Sequence, residues 1–166
     1  MVAKVREPDE ALARLQKTVS DAAAFLAEVD GEIFDGYQTA RMVLSHLVFW
    51  HREYISIIQT LADGGEPLLQ NGTYAELNAG ACCEFEKQTM ARLARRLLTL
   101  QKSLEVELCR LTDWEMNFPI KHGSRRKCVA ERLPDIEAHV RNHLTRLRRA
   151  ERLGEAWIKA YYTETA

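Results

Sequence analysis

The chain is poor in residues that interrupt helices. Four prolines and eight glycines in 166 residues are too few for the many tight turns of a β-sandwich or barrel, and they favour long helices. Cysteine is scarce and badly spaced for chemistry. Cys82, Cys83, Cys109 and Cys128 form no CxxC, and adjacent cysteines chelate poorly and rarely pair, so reduced thiols in a cytoplasmic protein are expected. No apolar run is long enough to span a bilayer, because the longest, Met42 to Trp50, is interrupted by Ser45 and His46. The opening MVAKVREPDEAL carries no apolar stretch of the secretory-signal kind.

Neither sign of charge is in large excess, but the net −1 hides an asymmetry. Residues 1–120 hold 12 Lys/Arg against 18 Asp/Glu, whereas residues 121–152 hold 10 against 4. A basic segment of this kind can meet an anionic substrate or nucleic acid. No aromatics are interleaved among its arginines and no nucleic-acid motif is present, so nucleic acid is not expected. The segment reads as a solvated basic face that complements acidic helices in the same or a neighbouring subunit.

What is present is helical periodicity. The chain reads as one domain over residues 1–166, with 46% hydrophobic and 28% charged residues, ordinary for a globular protein. Pro8, Asp9 and Glu10 look like a first helical turn, acids at its positive end. The stripe Leu12, Leu15, Val19, Ala22, Leu26, Val29 follows at alternating spacings of 3 and 4. A second helix is expected from about Thr39 to Ala62, stopped by Asp63-Gly64-Gly65, with Val43, Leu47, Trp50, Tyr54, Ile57 and Leu61 inward. Glu66 to Thr73 forms the first long connection. A third helix is expected from Tyr74 or Glu84 to Leu111, with Leu93, Leu97, Leu100, Leu104, Leu108 and Leu111 as its stripe.

Thr112 to Lys127 holds a proline, a glycine and no period, and reads as the second long connection, with a short extended piece at Phe118 to Ile120. A fourth helix spans about Val129 to Leu153, burying Leu133, Ile136, Val140, Leu144 and Leu147. A last short helix, Glu155 to Tyr162, carries Trp157 to cover one end. The expected fold is all-α, a four-helix bundle with two long connections.

Three histidines stand out against this frame. His139 and His143 are an i,i+4 pair on the last long helix, which puts two imidazoles on one edge. His46 lies on the second helix, and with the pair it would make a three-nitrogen cap that leaves positions open for water or substrate. Neutral imidazole suits Zn, Ni, Cu and Fe. On the helical wheel His46 and His51 both sit at borders of the second helix's stripe, and the pattern alone does not choose between them. The bland alternative is a set of partly buried histidines with ordinary hydrogen bonds. His122 sits in the basic loop and is not expected to join. His139 is followed by Val140 rather than glutamate, so the HExxH metalloprotease arrangement is absent.

The segment Val43-Leu44-Ser45-His46-Leu47-Val48-Phe49-Trp50 resembles the "vLxHlxxW" segment of the DinB/YfiT-like superfamily, and EAHVRNHL resembles its HxxxH helix. The resemblance covers about residues 10–150. It implies an up-up-down-down-like four-helix bundle, often dimeric, in which His46, His139 and His143 bind a divalent metal such as Zn or Ni. Thr73-Tyr74-Ala75-Glu76-Leu77-Asn78 is similar to a region of that fold's ClbS/DfsB branch, several members of which lack the triad. That similarity implies the alternative, a metal-free small-molecule binding or protective protein.

Three imidazoles on one metal would leave water acidified toward a pKa of about 7. The open position could equally take a thiolate, so a metal-dependent hydrolase and a thiol-dependent transferase are both implied. Glu53, seven residues after His46, is the nearest candidate base or orienter, with a solvated glutamate as its bland reading. Lys121, Arg125 and Arg126 would hold an anionic substrate if their loop folds over the metal.

Overall fold

The apolar stripes become helices that bury them. The computed structural model describes residues 7–154, which form α1 (Glu7–Glu28), α2 (Ala40–Ala62), α3 (Tyr74–Phe85), α4 (Met90–Arg110) and α5 (Val129–Leu153). The short helix expected at Glu155 to Tyr162 lies outside the described residues. Among them no strand forms, only isolated antiparallel bridges joining Phe34 to Thr39 and Phe118 to Lys127. The extended piece expected at Phe118 is thus a single pairing. No helix among the described residues is long and apolar enough to cross a membrane.

Helix starts follow local chemistry. The hydroxyls of Thr39, Thr73 and Thr89 accept from the backbone N–H groups of Met42, Glu76 and Arg92, satisfying donors that a helix N-terminus leaves open. At α3 the Glu76 carboxylate reaches back to Thr73 N at 2.7 Å and completes a capping box. Gly154, at φ 62°, ends α5 in a conformation other residues adopt at a cost.

The single third helix expected from the Leu stripe is two. Chain direction explains why. Arg41 bonds Gln88 O, His51 meets Gln101 and Asp63 pairs with Arg110, so α2 and α4 run parallel. The chain must therefore travel back along α2 between them: the connection after α2 brings Gln70 to Glu53, and α3 then packs across α2 at Trp50 and Arg52. Residues 86–89 then reverse it, with Arg41 holding the Gln88 carbonyl at 2.8 Å. By the same reasoning Thr18–Glu137 and Phe25–Arg148 make α1 parallel to α5. His46–His143 and Tyr54–Arg132 make α2 antiparallel to α5, and Gly31 against Met90 sets α1 antiparallel to α4. The order is up, down, down, up, in place of the up-up-down-down order the resemblance implied.

The core is the meeting of the stripes. Leu15, Val19, Leu26, Leu93, Leu97 and Leu104 are buried where α1 faces α4, and Leu133, Val140 and Leu147 are buried on α5. Around the ring α5–α1–α4–α2 three seams are closely packed, and the fourth, between α2 and α5, is sparse. That open seam positions the site.

Candidate metal centre

His46 lies near the start of α2, and His139 and His143 lie in the middle of α5. The antiparallel crossing brings all three together. Nε2 of His46 is 3.1 Å from Nε2 of His143 and 3.3 Å from Nε2 of His139. One nitrogen from each ring lies within 4.8 Å of the other two. Ring centroids are 4.6–5.4 Å apart and the rings are tilted or edge-on. His46 and His143 are 2% and 6% exposed, and His139 stands at the solvent edge.

These rings are neutral at ordinary pH. Burial holds His46 and His143 down to about 3, reinforced for His46 by His143 and His139, for His143 by His139, and for both by Arg146. Burial and then Arg146 also lower His139. Their nitrogens nevertheless have poor partners. Each imidazole nitrogen offers one lone pair or one N–H in the ring plane, yet both close contacts share the single Nε2 of His46. Nδ1 of His46 makes no well-formed hydrogen bond, and the Met42 carbonyl is the acceptor that acts on it. Three ring nitrogens gathered at one point suit a cation better than they suit each other. Nitrogens bound to one ion at about 2.1 Å can be at most roughly 4.2 Å apart, and the separations of 3.1 and 3.3 Å from His46 fall inside that span.

One contact opposes this. Arg146 Nη2 lies 3.0 Å from Nδ1 of His143. Guanidinium only donates, so Nδ1 accepts and the neutral ring carries its proton on Nε2, toward His46. Arg146 is fixed in turn by Asp35, which is 0% exposed and accepts from Arg146 Nε at 3.1 Å and from the backbone of Tyr37 and Gln38. Metal ligation by His143 through Nε2 requires that proton to leave.

The surroundings are two adjoining cavities. The first, of about 490 Å³, is bounded by the triad, Tyr37, Gln38 and Arg146. Oε1 of Gln38 is buried there without a partner. The second, about 360 Å³, fills the α2–α5 seam. His139 and Asn78 border both, and Asn78 is oriented by the Trp50 indole N–H at 2.9 Å.

The other expected residues are placed elsewhere. His51 is buried against α4, bounded by the Leu47 carbonyl and the Gln101 amide, and burial lowers its pKa. The Glu53 carboxylate is held by Gln70 at 3.0 Å and Arg52 at 3.4 Å, and it is not among the groups that converge with His46. His122 is exposed and its backbone bonds Gln70 O. Lys121 lies over the Tyr74 ring, and Arg126 bonds Asn117 O. Arg125 lines the seam cavity. None of the four cysteines is paired. Asp35, Arg146 and Gln38 were not singled out by sequence, and Asn78 entered only as part of the Thr73–Asn78 segment. An Asp-Gly turn before a helix hints at Asp35, but no local pattern links it to an arginine 111 residues away.

Comparison with protein-family models, with curated proteins and with solved structures returns no match.

Proposed function

We propose that this chain is a DinB-like metalloprotein in which His46, His139 and His143 hold one divalent ion, Zn or Ni. The observation that carries the reading is the convergence of three Nε2 atoms, at 3.1 and 3.3 Å, in a niche buried at His46 and His143 and open to solvent at His139. A divalent ion on three imidazoles supplies a Lewis acid with exchangeable positions, the chemistry of hydrolysis or of thiol transfer. The residues around it have separate tasks. Arg146, anchored by Asp35, orients the His143 ring through Nδ1 and sets the tautomer that metal binding must change. Gln38 Oε1 offers an acceptor beside the triad, and the seam cavity shields a substrate from water. No carboxylate base is part of this reading. The resemblance also carries a homodimer, and sedimentation separates a pair from the single 19.0 kDa chain.

Elemental analysis of protein expressed without a histidine tag tests the metal. About one divalent ion per chain is expected, and a stoichiometry near zero that added Zn or Ni does not raise would overturn it. The second reading, a metal-free binding protein of the ClbS/DfsB kind, is favoured by the Arg146–His143 contact. In that reading the triad stays a hydrogen-bonded wall of the cavity.

A further inference from the structure

The α2–α5 seam holds a cavity of about 360 Å³, within the size range of small-molecule sites. Its long walls are apolar and aromatic: Leu47, Trp50 and Tyr54 from α2, Tyr74 from α3, and Ile136 and Val140 from α5. Its two ends differ. One end is His139, at the triad. The other is cationic, with Arg125, Lys127 and Arg132 lining it against a single acid, Asp135.

Arg132 is the telling residue. It is 6% exposed, and its guanidinium donates to the carbonyls of Phe118, Arg125 and Lys127 while lying over the Phe118 ring. Among the described residues no carboxylate comes within ion-pair distance of it. The one acid at this end, Asp135, is paired with Lys127. Carbonyl oxygens accept from Nε and Nη2 of Arg132 and Tyr54 bonds it from α2, but these dipoles leave its charge uncompensated, and a buried uncompensated cation is costly. Arg125, exposed at the rim, adds a second positive charge to this end.

We propose that this cavity binds an amphiphilic carboxylate, its charged group at Arg125 and Arg132 and its apolar body between Trp50, Tyr54 and Ile136, reaching toward His139. Helix rise sets its length. Arg132 and His139 are seven residues apart on α5, about 10 Å at roughly 1.5 Å per residue. A ring with a short carboxyl-bearing chain fits that distance, whereas acetate is too short to use both ends. The inference names the substrate class of the site proposed above and takes from that reading only that the triad is the reacting end.

Calorimetry on metal-stripped protein tests it with phenylbutyrate, its neutral amide phenylbutyramide, and butyrate. Phenylbutyrate should bind about tenfold or more tighter than either, since the charged group and the ring each contribute. Arg125→Glu changes an exposed side chain, and with helicity retained by circular dichroism it should erase the preference for the acid over the amide. Equal affinity for acid and amide, a preference unchanged by Arg125→Glu, or no binding of phenylbutyrate at millimolar concentration would each overturn the proposal. His143→Ala protein, also metal-stripped, should bind phenylbutyrate as the parent does, and loss of binding there would also count against it. Failure of metal binding and failure of this site are therefore read separately.

Discussion

Two histidines of α2 are equally buried, each 2% exposed, and both border the cavities of the α2–α5 seam, yet their ring nitrogens meet different partners. His51 points into the tight α2–α4 seam, where the Leu47 carbonyl and the Gln101 amide bound its two ring nitrogens at 3.0 and 3.1 Å, and Gln101 is itself tied to Glu105. His46 points into the sparse α2–α5 seam, where its Nε2 meets only other imidazoles. A histidine enclosed by amide groups is a polar strut of the core. One enclosed by other imidazoles has partners that compete for the same lone pair, an arrangement that favours a cation. Burial is common to both, so burial alone does not mark a site; the chemistry of the partners does.

Acid should stress both seams in the same sense. Unfolded histidine takes up its proton near pH 6.5, while folded His46 and His143 hold theirs off to about 3 and His51 is lowered too. The unfolded state therefore binds more protons below pH 6.5. Stability of the metal-free protein should be level above that pH and fall as pH drops from 6.5 toward 3, by up to about 1.4 kcal/mol per unit for each such histidine. Urea unfolding at pH 7.5, 6 and 5 checks this, and a midpoint independent of pH would contradict the burial argument.

Replacing His51 breaks the strut. His51→Ala leaves the Gln101 amide without its partner in the core and opens a cavity, at a cost on the order of 3 kcal/mol. Denaturant unfolding reads it, and a loss below about 0.5 kcal/mol would mean that His51 is no strut, since surface-like substitutions fall in that range.

A smaller effect is expected at Arg146. Arg146→Lys keeps a cation for the buried Asp35 but loses the fork that also reaches His143 Nδ1. Freed of that donor, the neutral His143 ring can carry its proton on Nδ1 and offer Nε2 as a lone pair, so zinc affinity should rise roughly threefold to tenfold, the worth of one hydrogen bond. Competition with a chelating dye measures it, and a fall in affinity would show Arg146 to support metal binding as it stands. The least effect belongs to Glu53→Gln, whose carboxylate contacts Gln70 and Arg52; zinc affinity should stay within about twofold, as for distant independent sites.

The stripes of α1, α4 and α5 were legible because each of these helices buries one principal face, and Leu15, Val19, Leu97, Leu104, Ile136 and Val140 fall where period 3.6 puts them. The i,i+4 spacing likewise announced the neighbouring rings of His139 and His143. On α2 the pattern failed to separate His46 from His51 for a physical reason. That helix is buried without a break from Val43 to Phe49, packed on α3 and α4 and facing α5 across the cleft, so it has no single stripe whose centre could rank the two. The division of α3 from α4 was hidden because it follows from helix direction, a global property. The Asp35–Arg146–His143 chain was hidden because its members meet only when the loop after α1 closes against α5.

Zinc titration of His143→Ala and His51→Ala side by side tests the contrast most directly. The account predicts that His143→Ala loses zinc affinity by about 100-fold or more, since two imidazoles hold an ion far less well than three, while His51→Ala still takes up one ion per chain with affinity near the parent's. Equal losses in the two variants, or undiminished binding in His143→Ala, would contradict it.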